Sequence, residues 1–336
     1  TTLSGGQSVE RGKEYAISFR AKWLSGSPLL HTRLYFNYLA KKTILEQPKA
    51  HGTPGEQNST YSEDLGPVYS GLTHSPAVAK DDEPISIRVN ASDVDGIASL
   101  KVLWWTDSGE PFEELAMTLG SGDNYFAAIP GQEAKNLFGG ITNKTIHYYI
   151  QGEDTAGNTT WWPEAGPDSR VLIPLEDGRN GDGPGHNLRI VMTDEDTEFL
   201  HEETNVMSND RILGTVIDRE TDVYYNVGVR LKGSQRGRNK SVRAGFSLKM
   251  PADQPFNGIH ATIAVDRSGA GDQFSQKEIL VKHAINRAGN IPGMMDDLIY
   301  VISPQEAHTG SAMLLKARYD DEYLNAQFDN GSEGRM

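Results

Sequence analysis

Residues 229–250 read VRLKGSQRGRNKSVRAGFSLKM, in which two runs of alternating apolar and polar residues flank a basic turn. This alternation predicts two antiparallel strands. The window from Val223 to Ala252 contains no carboxylate, although the chain has 46 Asp and Glu against 32 Lys and Arg. The cations in this window are Arg230, Lys232, Arg236, Arg238, Lys240, Arg243 and Lys249. So much local positive charge in an acidic protein suggests a site for an anion.

The basic window has two physical interpretations. Cations on the two strands can converge on a phosphate group, with the backbone amides of Gly233 and Ser234 as further donors. Alternatively, the window is a solvated hairpin tip whose charges balance acidic residues elsewhere. The sequence contains neither a G-x-x-x-x-G-K-[ST] nor a G-x-G-x-x-G phosphate-binding motif, so spacing alone leaves both interpretations open.

Length and composition restrict the class of protein. A chain of 336 residues is long enough for two or three domains. The net charge of −14 argues against nucleic-acid or anionic-membrane binding, which needs a basic footprint over a whole face. The absence of Cys excludes disulfides and thiolate metal sites, and no stretch reaches the roughly 18 to 20 apolar residues of a membrane span. Thirty-five Gly, sixteen Pro and many short alternating runs predict a mainly β multidomain protein.

Changes in composition along the chain predict three structural units. Residues 1–60 form a small β module or the tail of a β-sandwich, followed by a linker at 61–72. Residues 73–175 contain at least five short strand candidates, which are typical of an immunoglobulin-like sandwich. The Gly-rich segment EDGRNGDGPGHN, residues 176–187, predicts a second linker, and residues 188–336 predict an α+β unit. Because the chain opens on TTLSGG without Met, we expect it to be a piece of a longer protein.

Two acidic turns in the second unit offer a possible cation site. The turns read DVDG at 93–96 and DTAGN at 154–158, and the pair resembles turns that recur in bacterial immunoglobulin-like domains. Asp93, Asp95 and Asp154 can share a Ca²⁺ ion, because hard cations need clustered oxygen ligands. Side-chain-to-backbone turns without a metal explain both motifs as well.

Four tryptophans in the same unit suggest a surface for sugar stacking. Adjacent strand residues point to opposite faces, so at least one of Trp104 and Trp105 is expected in the core, and the other can be an exposed ring. Trp161 and Trp162 precede a proline in a predicted loop. Glycan binding by the sandwich modules is therefore an alternative function for the chain.

The third unit contains one clear helix, predicted at residues 275–288. Its apolar positions fall on one face and comprise Leu280, Val281, Ala284, Ile285 and Ala288. Ser275 and Glu278 form an S-x-x-E capping box, and Gly289 stands at the C-terminal cap position. Asp266, Asp296 and Asp297 adjoin predicted strands, where turns or loop starts explain them better than a metal site does.

Residues 188–336 resemble the first half of the spore coat protein H (CotH) kinase-like family. The matching segments, in order, are VRLKGS, QRGRNKS, AGFSLKM, SQKEILVKHAINRAGNIPG and SAMLLKARY. The resemblance implies an atypical kinase that transfers the ATP γ-phosphate to Ser or Thr with Mg²⁺. The cations that match the family's phosphate-facing sheet are Arg230, Lys232 and Lys249, and Glu278 is the helix carboxylate able to hold one of them.

This chain departs from the family in two respects. Where the family often has Lys-Lys-Ser-aromatic-Lys, residues 243–247 read RAGFS, so only Arg243 remains as a cation. The resemblance also implies that the catalytic and metal-binding aspartates lie downstream of the final DNGSEGRM. We therefore expect an incomplete kinase domain with an exposed edge strand, in which 188–336 is the least stable part.

The resulting hypothesis is a fragment of a secreted or surface-anchored bacterial multidomain protein. It binds ATP and, in its complete form, phosphorylates Ser or Thr of extracellular proteins. The alternative is a non-catalytic adhesion or scaffold protein whose sandwiches bind glycans or Ca²⁺.

Overall fold

The computed structural model describes residues 2–3, 7–8, 21, 29–33, 40–44, 64–80, 82–106, 113–131, 145–179, 186–203, 205–238, 243–267, 276–289, 296–318 and 321–329. The chain divides into two compact units, Thr1–Asp64 and Leu65–Met336. It is mainly β with several sheets, as predicted. None of the helices in the described residues is both long and apolar enough to cross a membrane.

The first unit contains two short antiparallel pairs in its described residues. Strand β1 (Thr2–Leu3) pairs with β2 (Gln7–Ser8), and β3 (Leu29–Arg33) pairs with β4 (Ala40–Ile44). The predicted strand at residues 14–23 lies almost entirely outside the described residues.

The second unit begins with a β-sandwich. Its first sheet has the order β5 (Val68–Ser75), β6 (Ile85–Ser92), β10 (Asn124–Ile129) and β9 (Thr118–Leu119). Its second sheet has the order β12 (Thr159–Trp162), β11 (Thr145–Asp154), β7 (Ile97–Thr106) and β8 (Glu113–Ala116), with β13 (Leu172–Pro174) also paired to β11. Alternate residues of β6, including Ile85, Ile87 and Val89, share one core with residues of β7 and β11, so the two sheets pack face to face.

The remainder of the second unit is built on a closed seven-stranded barrel. The strands are β14 (His186–Val191), β15 (Ile212–Asp218), β16 (Asp222–Lys232), β17 (Gly245–Lys249), β18 (Thr262–Asp266), β19 (Asp296–Ile302) and β20 (Gly310–Ala317). Their order around the barrel is β14-β15-β16-β17-β18-β20-β19. A parallel pairing between β14 and β19 closes it, and the other pairs are antiparallel.

Inward-facing side chains fill the barrel. On β16 these are Val227, Val229 and Leu231, which alternate with outward residues, and Phe246 and Leu248 continue the core on β17. The same alternation places the cations at positions 230, 232 and 249 on the outer surface. The alternation of apolar and polar residues in β16 and β17 therefore determines both the barrel core and the charged outer face.

In the described residues, four α-helices accompany the barrel: α1 (Asp194–His201), α2 (Gln235–Arg238), α3 (Gln276–Ala288) and α4 (Asp321–Gln327). Helix α3 packs over β19. Leu280 and Val281, on its predicted apolar face, are 65% and 57% exposed. The side of α3 that contacts the sheet carries Glu278 and Lys282 instead, because their charges are matched by the strands beneath.

The structure differs from the predicted organisation in two ways. Strand β5 begins at Val68, inside the predicted 61–72 linker, because its first residues pair with the end of β6. The sandwich predicted at 73–175 and the domain predicted at 188–336 form one compact unit, since Tyr225 of the barrel lies in the sandwich core.

The expectation of an exposed edge strand in residues 188–336 is also corrected. Every described strand of this region has two neighbours, because the parallel β14–β19 pairing joins the two ends of the sheet. The described strands therefore enclose a complete core.

Candidate anion-binding site

The outer face of β16, β17, β18 and β20 brings together most of the cations predicted to bind phosphate. Arg230 is opposite Ser247, and Lys232 is opposite Gly245, across the β16–β17 pair. Lys249 is opposite Gly228 and is exposed. All three cations share this face with Lys316 of β20. We call this surface the basic face.

A chain of ion pairs crosses one side of the basic face. Asp266 Oδ2 accepts from Lys232 Nζ at 2.7 Å and from Lys316 Nζ at 3.3 Å. Lys316 Nζ also donates to Glu278 Oε1, so a carboxylate of α3 holds a lysine of the sheet. Lys282 Nζ then joins Glu278 Oε1 at 3.0 Å to Asp296 Oδ2 at 2.6 Å. Three lysines and three carboxylates alternate in this network.

Lysine contacts lower the pKa values of two carboxylates in the network. Burial raises the pKa of Asp266, but the hydrogen bond and charge of Lys232 and the charge of Lys316 outweigh it, so the pKa lies below its usual value. The pKa of Glu278 is likewise lowered, because Lys316 and Lys282 overcome the effect of burial. Lys316 is largely buried, with 13% of its side chain exposed, so these contacts fix the position of its ammonium group.

A second group of cations, around Arg211, has no carboxylate partner among the described residues. Arg211 precedes β15 and donates from Nη1 to Gly228 O and Ser247 O, both at 2.7 Å, and from Nη2 to Ser247 Oγ at 3.1 Å. Burial, followed by the charges of Arg230 and Arg318, lowers the pKa of Arg211 to about 10. No ion pair with a carboxylate joins these arginines or Lys249 within the described ranges. Clustered arginines without acidic partners favour an anionic ligand.

Gly228 makes the arrangement of Arg211 possible. A Cβ atom at Gly228 would stand 2.8 Å from Arg211 Cδ. The arginine therefore crosses the sheet where a glycine leaves the surface flat. Ser247 and Ala264 complete a floor of small residues among the cations.

The other residues predicted for this site have different roles. Arg238 is 7% exposed and donates to the carbonyls of Gly233 and Ser208 at 2.9 and 2.7 Å and to Asn209 Oδ1, so it closes the loop and is not available to a ligand. Ser234 is exposed and directly precedes α2, with its carbonyl accepting from the Gly237 and Arg238 N–H groups.

Arg243 lies outside the basic face. It has a left-handed backbone (φ 52°), and its Nε lies 3.3 Å from where a Cβ on Gly310 would stand. Lys240 and the side chain of Arg236 lie outside the described residues.

Of the three aspartates predicted to bind Ca²⁺, the structure brings Asp93 and Asp95 close together and places Asp154 apart from them. Carboxylate oxygens of Asp93 and Asp95 lie within 4.8 Å of each other, but Asp154 does not belong to this group. Asp93 Oδ1 accepts from the Asp95 N–H, while Asp154 is buried and accepts from Asn158 N and Nδ2 at 2.8 and 2.9 Å. Both motifs therefore make the side-chain-to-backbone turns that were the alternative.

The tryptophans do not form a stacking platform in the described residues. Trp104 and Trp105 are both buried, and Trp105 packs on His147 with ring centroids 4.0 Å apart. Trp162 is partly buried and stacks on Tyr69, which leaves Trp161 as an isolated ring that is 46% exposed.

Sequence reasoning missed Lys316, Lys282 and Arg211. The alternation in SAMLLKARY places Lys316 outward, but only the pairing of β20 with β18 brings it to Asp266. The i,i+4 spacing of Glu278 and Lys282 was a usable signal for a charged helix face. Arg211 lies outside the basic window and reaches it only through the β15–β16 pairing.

Comparison with other proteins does not classify the chain. No protein-family model matches it, and a search of curated proteins finds no match.

The residues of the basic face fit phosphate groups but do not fit Mg²⁺. Both carboxylates beside Lys316 already bind lysine ammonium groups, and the described residues contain no cluster of metal-binding side chains here.

Proposed function

We propose that the basic face binds the phosphate groups of a nucleotide, and that this chain supplies the phosphate-holding sheet of a CotH-like Ser/Thr kinase acting on extracellular proteins. The observation that carries this proposal is the contact of Lys316 with Glu278. A sheet lysine held by a helix carboxylate is the arrangement by which kinases position the cation that contacts nucleotide phosphates. The sequence resemblance had suggested the same helix carboxylate, Glu278.

The cations outside the ion-pair network support the same function. Phosphoryl transfer depends chiefly on positioning and on stabilising negative charge. Arg230 and Lys249 adjoin the network, and neither has a carboxylate partner among the described residues, although Arg230 Nη1 donates to Asn209 Oδ1 at 2.8 Å. They can therefore bind an anion without first breaking an ion pair to a described residue. Arg211, fixed by backbone carbonyls, presents its charge beside them at little conformational cost.

The test is calorimetric titration of the protein with ATP, ADP and adenosine, in the presence of Mg²⁺ and of EDTA. We expect affinity to rise with the number of phosphates and to fall as salt concentration increases. The Lys316→Met and Arg230→Gln substitutions should each weaken ATP binding about tenfold. Lys101→Gln removes a cation that pairs with Glu114 on the sandwich, and it should leave ATP binding unchanged.

Two results would contradict the proposal. Adenosine binding as tightly as ATP would exclude phosphate recognition by this face. A fully folded protein that binds no nucleotide would instead favour the non-catalytic adhesion or scaffold function.

A further inference from the structure

A cavity of about 400 Å³ lies between the sandwich and the barrel, away from the basic face. Its walls come from the start of β11, the segment after β13, strand β14, helix α1 and the loop after β19. Small-molecule sites have volumes of this order and often occur between packed domains. This volume is large enough for a ligand about the size of a monosaccharide.

Two polar atoms beside this cavity have no hydrogen-bond partner in the part of the chain that the structure describes. They are Thr145 Oγ1 and His201 Nε2, both are buried, and both residues line the cavity. Buried polar groups in proteins are nearly always paired, so two such atoms at one cavity indicate a ligand with hydroxyl groups.

The charges of the cavity exclude an anion as the favoured ligand. Arg189 contacts Asp177 at 3.0 Å and Glu220 at 3.2 Å. Arg179 contacts Asp177 at 2.6 Å and the Ser303 carbonyl at 3.1 Å. Carboxylates therefore already neutralise the charges of both arginines that line the cavity.

Negative charge remains at the rim. Glu198 of α1 and Glu306 of the loop after β19 are exposed and line the cavity, and neither is in any ion pair of the described residues. Burial and the neighbouring His308 lower the pKa of His201 to about 4, so its ring is neutral at pH 7 and does not repel a cation. The open side of the cavity thus favours a positively charged group.

We propose that this cavity binds a small amino alcohol of the amino-sugar type. Its ammonium group lies at Glu198 and Glu306, and its hydroxyl groups bond to Thr145 Oγ1 and His201 Nε2. The site is separate from the basic face, and its ligand does not depend on the function proposed there.

Glucosamine is the probe, and two molecules of similar size are its controls. Glucose lacks the ammonium group, and cyclohexylamine lacks the hydroxyl groups. In calorimetry at a pH where the amines are protonated, we expect glucosamine to bind with Kd near 1 mM and each control to bind at least about fivefold more weakly. Equal binding of glucose and glucosamine, or no binding of glucosamine at about 10 mM, overturns the proposal.

Substitutions at the rim test whether glucosamine binds in this cavity. Glu198→Gln and Glu306→Gln should each lower glucosamine affinity about fivefold. Glu195→Gln, an exposed carboxylate on the same helix that does not line the cavity, is the matched control and should have no effect.

Thr145→Val separates binding from stability. Replacing an unpaired buried hydroxyl by a methyl group should leave the melting temperature unchanged or higher while it weakens glucosamine binding. Unchanged affinity in Thr145→Val, or equal losses in Glu195→Gln and Glu198→Gln, would overturn the assignment of this cavity.

Discussion

Burial lowers the pKa values of three histidines, so we expect the stability of this protein to depend on pH. His74 is buried between the sandwich and the barrel, with Nδ1 2.7 Å from Tyr225 Oη and Nε2 3.2 Å from the Ala77 carbonyl. Burial lowers its pKa to about 4. Burial is also the main cause that lowers the pKa values of His147 and His201, to about 3 and about 4.

We therefore predict acid destabilisation well above the pKa values of most carboxylates. Because the folded pKa of His74 is below its unfolded value, its stabilising effect is complete above about pH 6.5 and is lost as the pH falls towards 4. This residue alone accounts for up to about 3 kcal/mol. Urea unfolding at several pH values should show a weaker pH dependence for His74→Gln, and an identical slope in both proteins would contradict the prediction.

His186 has the opposite dependence. Its two ring nitrogens contact the carboxylates of Asp218 and Asp297, and the hydrogen bond with Asp218 is the main cause that raises its pKa. Its stabilising effect is therefore complete below about pH 6.5 and is lost as the pH rises through the higher folded value. The two kinds of histidine together place maximum stability near neutrality.

The basic window contains a structural cation, Arg238, and cations that are accessible to a ligand. Substitutions should distinguish the two kinds by their effects on stability and on ATP binding. We predict that Arg238→Ala lowers the free energy of unfolding by about 2 to 4 kcal/mol, because several carbonyl groups lose the buried guanidinium group that donates to them. Lys249→Ala, at an exposed strand position, should change it by less than about 0.5 kcal/mol and should weaken ATP binding. Denaturant unfolding of the two variants checks this, and equal stabilities would show that Arg238 does not hold the loop.

At the scale of elements, helix α3 is held to the sheet by charge. We predict a coupling energy of about 0.5 to 1 kcal/mol between Glu278 and Lys316 in a double-mutant cycle of Glu278→Gln and Lys316→Met. The contact is partly exposed, so the coupling should decrease at high salt. Strictly additive effects would mean that the helix carboxylate does not position the lysine.

The elements themselves were largely predictable, whereas their contacts were not. The alternation in ISIRVNAS and in VRLKGS identified strands β6 and β16, and the predicted helix agrees with α3 within one residue. Local periodicity does not specify strand partners, so neither the closed barrel nor the approach of Lys316 to Asp266 could be read from the sequence. The apolar residues of α3 were also misleading, since Leu280 and Val281 are exposed while charged residues contact the sheet.

At the scale of the whole molecule, the sandwich and the barrel share a buried polar network. Tyr225 of β16 contacts His74 of β5, and Tyr148 of β11 donates to the Tyr225 hydroxyl at 3.1 Å. Val191 and Ile217 of the barrel pack with Ala77 and Leu172 of the sandwich. The sandwich and the barrel therefore share packed residues within the unit Leu65–Met336.

We predict that residues 65–336 unfold in one cooperative transition. The calorimetric and van't Hoff enthalpies should agree, since the two cores share residues. Tyr225→Phe should lower stability by about 1 to 3 kcal/mol, because two buried partners lose a hydrogen bond. Two separate transitions, with the barrel unfolding first, would instead support the sequence-based expectation that 188–336 is the least stable region.

The parallel β14–β19 pair determines when the barrel can close during synthesis of the chain. Strand β14 ends at Val191, but its parallel partner β19 begins only at Asp296, and β19 in turn pairs with β20. While the ribosome adds the intervening hundred or so residues, β14 can pair only with β15. The barrel therefore cannot close on a nascent chain until β19 and β20 have left the exit tunnel, and during that interval one edge of β14 lacks its native partner.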